Sequence, residues 1–395
     1  MSSSTQALNA QPAMKAEPQA GGRFQALGVV TLSAAHFIHD TYSAFFAVLL
    51  PLLIENLAIT KAAAGVLSVF YNLPSLFQPL IGHLGDRFNL RLLVVLAPFL
   101  TAVMITLLGV APTYAAAALL LAAAGASSAG LHAVGPVITG LLSGEKLGRG
   151  MSFWMVGGEL GRTLGPVILV AAIAWLTPRG LPWLLIGGAA ASLVLYLRLR
   201  NVTEFRPNGG NGQAAGAALW KMRWFLLPLT GVVTTRALLF SAITTFLPTY
   251  MTEEGAALWL AGAALSVMQA AGVIGALAGG VVSDRFGRRR VMLLMTLAAP
   301  LVVLLFLNVH GWLQFPILLL VGLTLLSTGP VIMALVQEQA PGSRALANGI
   351  YMALSFITMS LAAVLVGALG DRFGMRAALY TSALVMLAGL PFTFF

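Results

Sequence analysis

Ionisable side chains stand inside long apolar runs of this sequence, where their charge needs a partner. The densest group is His36, His39 and Asp40, which share one face of a helix at 100° per residue. Histidine titrates near neutral pH, and an apolar setting favours the protonated form of a carboxylate. His36 and Asp40 therefore predict a site that takes up and releases a proton. A fixed hydrogen bond to a neighbouring helix and a bound transition metal are the alternatives.

Two further charges lie three residues apart in another apolar run. Glu159 and Arg162 are about 60° apart on a helix, so they can form an ion pair. The pair is either static, or Glu159 exchanges Arg162 for a proton or a substrate and thereby couples two binding events. His132 lies on a polar stripe of a third helix, where it either lines a cavity or packs as a hydrogen-bonded histidine. We predict that Asp40, Glu159, His36 and His132 couple transport to protons.

Arg236 is a cation with no acidic residue within helical reach. A guanidinium presents a fixed fork of donors that suits carboxylates and phosphonates. Arg236 therefore either binds an anionic substrate or forms a permanent salt bridge with a distant carboxylate such as Asp40. Polar side chains of several other helices share the same predicted cavity. The predicted substrate-binding residues are Arg236, Arg162, His39, Asn72, Tyr71, Asn348 and Tyr351.

The composition predicts the elements that carry these residues. Of the 395 residues, 59% are hydrophobic and 9% are charged, and the mean hydropathy is +0.92. Soluble domains carry roughly a quarter charged residues, so this composition excludes a soluble enzyme. The chain has no cysteine, which excludes disulfides and thiolate metal sites.

We predict an all-α integral membrane protein with twelve transmembrane helices in two six-helix bundles. Each apolar run is near the roughly 20 residues that cross a bilayer as a helix, and the period-2 alternation of a barrel is absent. Residues 1–26 are predicted as a disordered cytoplasmic tail, 27–199 as the N-terminal bundle, 200–221 as a cytoplasmic linker and 222–395 as the C-terminal bundle. The predicted spans, numbered 1 to 12, are 27–54, 62–84, 92–111, 114–143, 150–176, 181–199, 222–252, 258–282, 291–309, 311–338, 344–369 and 375–394.

The net charge of +10 sets orientation in this interpretation. Sixteen Lys and Arg residues fall in the predicted cytoplasmic segments and four in the outer loops. Because Lys and Arg near helix ends favour the cytoplasm, both termini are predicted to be cytoplasmic. The charges leave no contiguous basic face, so no nucleic-acid partner is expected. No Walker pattern is present, so the predicted energy source is an ion gradient.

A ten-residue pattern, G-x-x-x-D-R-F-x-x-R, occurs three times, starting at Gly82, Gly280 and Gly367. The first two copies follow spans 2 and 8, which are equivalent positions in two parallel repeats. Their carboxylates can bind a neighbouring helix N-terminus or an arginine, and such links can hold the cytoplasmic ends of the halves together in one state and release them in another. The alternative is a topology-setting loop with fixed salt bridges. The third copy is predicted on the outer side, where it cannot share a cytoplasmic gating role. The predicted gate residues are Gly82, Asp86, Arg87, Gly280, Asp284 and Arg285.

The first two copies resemble the signature loop of the major facilitator superfamily, with Asn89 in place of one glycine. A narrower resemblance covers residues 27–395. It is carried by strings such as His36-Phe-Ile-His39-Asp40 and Thr235-Arg236, which are similar to the fosmidomycin-resistance group of transporters. Ala133 and Glu159 depart from the Pro and Asn common in that group. The resemblance implies the major facilitator fold, a bacterial cytoplasmic membrane location and proton-coupled export of small, often anionic, drugs.

The predicted function is proton-coupled export of a small anionic or zwitterionic organic compound by alternating access between two bundles. The alternative is proton-coupled import of a small carboxylate or related nutrient, because residues of this kind serve either direction. An intramembrane enzyme would need a nucleophile–base motif or metal-ligand spacing, and neither occurs in the sequence. A sensor would need a signalling domain. We expect a monomer in the lipid bilayer, with protons and a small molecule as partners and with no cofactor.

Overall fold

A computed structural model of the protein describes residues 23–85, 88–200, 215–339 and 344–394. Within these ranges the backbone forms α-helices joined by short turns and 3-10 segments, with no strand. The first half contains α1 (Ala26–Ser43), α2 (Phe45–Asn56), α3 (Lys61–Asn72), α4 (Gln78–Gly85), α5 (Arg91–Leu107), α6 (Tyr114–Ser143), α7 (Leu147–Gly180) and α8 (Leu185–Leu199). The second contains α9 (Ala215–Glu253), α10 (Leu258–Phe286), α11 (Arg288–Asn308), α12 (Gln314–Glu338), α13 (Arg344–Phe373) and α14 (Met375–Ala388).

These helices confirm the predicted fold class. Ten helical stretches of the described chain are long and apolar enough to cross a membrane. The stretch Gly148–Leu199 has 52 residues and contains both span 5 and span 6. Thr177, with φ 60°, leaves the helical conformation and separates the two spans. The shorter apolar helix α14 supplies span 12. Span 1 consists of α1 and α2, and span 2 consists of α3 and α4.

The segment predicted as a linker, residues 200–221, is helical at its end because α9 begins at Ala215. The sequence from that point, Ala-Gly-Ala-Ala-Leu-Trp, is rich in alanine, which has the highest intrinsic helix propensity. Hydropathy detects membrane-crossing segments and therefore misses a helical extension beyond them. Residues 201–214 of that segment and 1–22 of the predicted tail lie outside the described residues.

Helices α1 and α7 pack backbone against backbone. A Cβ atom added at Gly157, Gly161 or Gly165 would lie 2.3, 2.4 or 2.6 Å from the carbonyl oxygens of Ser33, Phe37 and Thr41, respectively. Such distances leave room only for glycine, and small residues permit close approach of membrane helices. This packing holds the charged face of α7 beside the histidines and carboxylate of α1.

The apolar core differs between the two ends of the molecule. At the end predicted to face outward, one cluster runs through both halves and includes Leu49, Leu67, Phe246 and Leu265. Toward the opposite end, one cluster belongs to the first half and another to the second. The halves therefore share a core at the outer end and have separate cores at the cytoplasmic end. "Outer" and "cytoplasmic" follow the predicted orientation.

Polar contacts join the two halves at the outer end, through the third copy of the repeated pattern. The carboxylate of Asp371 accepts hydrogen bonds from the backbone N–H groups of Lys61 (2.7 Å) and Ala62 (2.9 Å), which begin α3. The Lys61 ammonium binds Glu253 at 2.7 Å and donates to the carbonyl of Gly370 at 3.2 Å. A carboxylate at a helix N-terminus is favoured by the helix dipole. We call these contacts, centred on Lys61 and Asp371, the outer latch.

The contacts of Asp284 and Arg288 in the second copy lie within one half of the molecule. Asp284 pairs with Arg288, which also binds Glu338 at 3.1 Å. Arg285 is exposed, and a side chain at Gly280 would meet open space. Gly82 of the first copy lies in α4, and Asp86 and Arg87 lie outside the described residues. The predicted cytoplasmic gate therefore stays a prediction.

We predict that Asp371→Asn opens the outer end. The substitution removes the charge that binds the N-terminus of α3, so an outward-open state becomes more populated. Because the chain has no cysteine, Asn56→Cys and Trp312→Cys, both at exposed outer positions, allow unique spin labelling. Pulsed electron-spin spectroscopy should then report a longer distance between the two labels.

The matched control is Glu254→Gln. Glu254 lies at the same end and binds Arg376 at 2.8 Å, but both residues belong to the second half. The hydrogen bond from Arg376 lowers the pKa of Glu254 below its usual value, so this pair is also charged. Its loss should leave the distance between the labels unchanged. An unchanged distance in Asp371→Asn would show that the outer latch does not keep the outer end closed.

Candidate functional site

A cavity of about 540 Å³ lies between the two halves, at the level of the charges inside the helices. Both halves contribute to its wall, so a molecule bound there touches both. Seven of the residues predicted from the sequence line it: Asp40, Tyr71, Asn72, His132, Glu159, Arg162 and Arg236. The structure therefore brings together, in one space, charges that lie on four different helices.

The N-terminal half carries an ion-pair chain on the cavity wall. Arg162 pairs with Glu159 on the same helix, as predicted, and also donates to Asp40 Oδ2 at 2.8 Å. Asp40 is only 2% exposed. A buried carboxylate needs both a counter-charge and hydrogen-bond donors. The glycine packing of α7 on α1 places Arg162 within reach of Asp40, so the close backbone contact creates the pair.

Three histidines surround the same carboxylate. His39 Nδ1 donates to Asp40 Oδ1 at 2.9 Å, while His36 Nε2 and His132 Nε2 lie 3.4 and 3.7 Å from the Asp40 oxygens. We predicted His39 as a substrate-binding residue. Its side chain has no exposed surface and lies outside the cavity lining, so in this state it orients Asp40 instead. The cavity reaches the cluster through His132.

Trp154 forms part of this cluster, which the sequence did not reveal. Its ring stacks on His36 with centroids 3.8 Å apart and an interplanar angle of 20°. Trp154 is 2% exposed. The stack and the contact of His36 Nδ1 with the Trp154 carbonyl oxygen hold the His36 ring in place.

A metal ion was one alternative for this group. The ligand atoms of His36, Asp40 and His132 lie within 4.8 Å of one another, which is compact enough to hold a small ion. However, the Arg162 guanidinium already binds the same carboxylate and repels a dication. We therefore do not assign the cluster as a metal site.

On the opposite wall, Arg236 of α9 has no carboxylate partner among the described residues. Its Nε donates to Thr328 Oγ1 at 2.6 Å, a second nitrogen lies 3.4 Å from the Leu325 carbonyl oxygen, and its guanidinium stacks over the Phe240 ring. Neutral acceptors hold the side chain in place and leave its positive charge uncompensated. This geometry suits an anion that enters the cavity.

The remaining predicted residues differ in how they meet the cavity. Tyr71 and Asn72 line it, and Tyr351 is buried in an apolar cluster of the second half. Asn348 lies in α13, but its side chain is outside the described part of the chain. Gln269 and Thr244 also line the wall and were not predicted. Uncharged polar residues occur in many membrane helices, so the sequence holds no signal that selects these two.

The sequence pattern that defines the Major Facilitator Superfamily matches residues 32–341 and 260–395. The chain belongs to the Major Facilitator Superfamily. The family and the fold are those of transporters and not of enzymes, which agrees with the expected class. A Major Facilitator Superfamily protein is embedded in a membrane and has a small-molecule substrate.

Two superfamily members align along nearly the whole chain. An uncharacterized MFS-type transporter of Bacillus subtilis (strain 168), YfnC, is 26% identical over 92% of this chain and 90% of its own length. The fosmidomycin resistance protein of Escherichia coli (strain K12) is 24% identical over 93% of this chain and 91% of its own length. The second similarity supports the resemblance found in the sequence.

Solved structures agree with the fold. The nucleoside transporter NupG superposes with a TM-score of 0.72 and 16% identity, covering 93% of this chain and 99% of NupG. A bacterial homolog of the human lysosomal transporter Spinster, in an inward-facing and occupied conformation, gives 0.71 and 15%, covering 94% and 95% of the two chains. Sequence identities this low show a shared major facilitator fold and nothing further about substrate.

We predict that Arg162→Met destabilises the protein by about 3 kcal/mol, because it strips a buried carboxylate of its counter-charge. The double variant Asp40→Asn/Arg162→Met should recover part of this loss, since the amide needs no counter-charge. Denaturant unfolding in detergent measures both. Arg149→Met, which removes an exposed arginine of the same helix, is the control. A single variant as stable as the wild type would show that the ion pair contributes little.

Proposed function

We propose that this transporter exports a small anionic or zwitterionic organic compound in exchange for protons, by alternating access. One observation carries the proposal: the cavity has an uncompensated cation, Arg236, on one wall and a buried group of ionisable residues on the other. The two walls belong to different halves of the molecule. A substrate and a proton can therefore each change the charge balance felt by the other.

Arg236 is the proposed anchor of the substrate anion. Its Thr328 and Phe240 contacts fix the guanidinium, and a carboxylate or phosphonate would complete its unused donors. Asn72, Tyr71 and Arg162 lie in the same wall and supply further polar contacts. The relative from Escherichia coli is named for resistance to fosmidomycin, which supports drug efflux as the physiological class.

The proposed proton-coupling residues are Asp40, Glu159, His36 and His132. They share one guanidinium, Arg162, which contacts both carboxylates. Proton binding reduces the negative charge that Arg162 neutralises, and proton release restores that charge. A substrate anion competes for the same positive charge. Occupancy by a proton and by the substrate is thus linked through a shared partner.

The conformation supports loading from the cytoplasm. The outer ends of the halves share a core and are joined by the outer latch, whereas the cytoplasmic ends have separate cores. We propose a monomer in the bacterial inner membrane with both termini in the cytoplasm, supported by the bias of Lys and Arg toward those loops. In that orientation the cavity receives substrate from inside the cell, as export requires.

We predict that fosmidomycin, used as the probe, accumulates in inside-out proteoliposomes whose lumen is acidic. Protons leaving the lumen drive the exchange, so a protonophore should stop accumulation while exchange at equal pH continues. Uptake of the labelled probe measures both. Accumulation that persists after the pH gradient collapses would sink the coupling claim, and accumulation only with an alkaline lumen would favour the importer.

Amide variants separate coupling from binding. Asp40→Asn and Glu159→Gln should lose gradient-driven accumulation and keep part of the substrate counterflow, because counterflow needs no net proton movement. Arg198→Gln, at an exposed position of α8, should behave like the wild type. Wild-type behaviour of both amide variants would remove these carboxylates from the mechanism.

We further predict that Arg236→Gln raises KM for an anionic probe by about tenfold or more, since a hydrogen bond to a charged group contributes about 1.5–3 kcal/mol. Counterflow at varied fosmidomycin concentration measures the change. The glutamine keeps a donor for the Thr328 hydroxyl, so the fold should survive. An unchanged KM would place the anion elsewhere in the cavity.

A further inference from the structure

We infer that one proton is shared between His36 and His132, and that it resides on His36 Nε2 with His132 Nε2 as its acceptor. The inference rests on the proposed proton-coupled function and locates its proton. The two histidines come from α1 and α6, and their Nε2 atoms lie 3.3 Å apart. The argument depends on which ring nitrogens already carry hydrogen.

Backbone carbonyls fix both tautomers. His36 Nδ1 lies 2.9 Å from the carbonyl oxygen of Trp154, and His132 Nδ1 lies 2.9 Å from that of Ser128. A carbonyl oxygen only accepts hydrogen bonds, so both Nδ1 atoms must carry hydrogen. In a neutral imidazole the other nitrogen is then a lone pair. Both neutral rings would therefore turn lone pairs toward each other.

That arrangement is repulsive without a proton. The two Nε2 atoms face each other, and the Asp40 oxygens lie 3.4 Å from one and 3.7 Å from the other. The two Nε2 atoms and the Asp40 carboxylate would then meet as acceptors with no donor between them. A single proton on either Nε2 converts the contact into an N–H···N hydrogen bond and places a cation beside the carboxylate. A second proton would set two donors and two cations against each other.

Asp40 is the wrong place for this proton. Its Oδ1 already accepts from His39, and its Oδ2 accepts from Arg162 at 2.8 Å. Hydrogen bonds donated to the ionised form favour that form. With Asp40 and Glu159 negative, Arg162 positive and one proton on the histidine pair, the charges of the cluster balance. The carboxylate then serves as the fixed counter-ion of the proton.

His36 Nε2 is the better placed of the two atoms to hold the proton. It lies nearer to Asp40, and the indole of Trp154 stacks on its face at 3.8 Å. His132 is 29% exposed and lines the cavity, whereas His36 is 4% exposed. A proton from cavity water can therefore attach to His132 Nε2 and pass to His36 Nε2, and it leaves by the reverse route. His132 exchanges the proton with cavity water, and His36 holds it.

The charged and titratable groups that face this pair come from three helices. Helix α1 presents His39 and Asp40, and α7 presents Glu159 and Arg162. Tyr71 of span 2 lines the same wall. Loss of the shared proton leaves the cluster with one net negative charge, which an arriving substrate anion would meet as repulsion. Proton release therefore weakens anion binding at that wall, so exchange requires that the substrate anion bind at Arg236, on the opposite wall.

The test is 15N spectroscopy of ring-labelled histidine in proteoliposomes, in which the chain contributes five histidines. We expect Nδ1 of both rings to stay protonated, and the two Nε2 signals to change together with uptake of one proton in total between about pH 5 and 8. His36→Gln should abolish this uptake and gradient-driven transport, and retain counterflow. His132→Gln should leave His36 able to bind the proton and slow gradient-driven transport.

His310→Gln is the control, because His310 is exposed at the outer end. It should remove one signal and leave the proton uptake and transport intact. Signals that shift on addition of a metal chelator, an Nε2–H tautomer in both neutral rings, or undiminished gradient-driven transport in His36→Gln would each overturn the inference. Failure of the wild type to follow a pH gradient, with the shared proton still seen, would instead refute the proposed function alone.

Discussion

An ionised carboxylate inside an apolar bundle is the constraint on which this structure depends. Asp40 sits among membrane helices, where a charge without partners costs several kcal/mol. It is satisfied by donors from two helices, His39 on its own and Arg162 on α7. The glycines that let α7 lie against α1 are needed for that second contact. The packing of α7 on α1 and the Arg162–Asp40 ion pair thus depend on each other, and loss of either disturbs the other.

The same constraint separates two kinds of charge across the cavity. The N-terminal half neutralises its own cation, Arg162, with two acids, whereas the C-terminal half holds Arg236 with neutral groups. Without a proton on its histidines, the first wall carries one net negative charge, whereas the second carries the uncompensated positive charge of Arg236. In the alternating access that we propose, the two walls lie on halves that move relative to each other, so occupancy of either wall changes the electrostatics of their closure.

The sequence predicts what is local and misses what depends on packing between distant segments. Twelve spans follow from hydropathy, and the Glu159–Arg162 pair follows from a three-residue spacing on one helix. The Arg162–Asp40 and His36–His132 contacts join residues 122 and 96 positions apart, and no periodicity encodes them. Trp154 shows the same limit, because nothing in the sequence distinguishes a tryptophan that stacks on a histidine from any other apolar residue of a membrane helix.

The glycine contacts between α1 and α7 also bear on how the molecule moves. Side chains can slide and repack, but two backbones in contact along three successive turns resist shear. The helices that carry Asp40, His36, Trp154 and Arg162 therefore travel as one rigid piece. In the proposed cycle the geometry around His36 is therefore unaltered, and its protonation follows the pH of the compartment whose water reaches it.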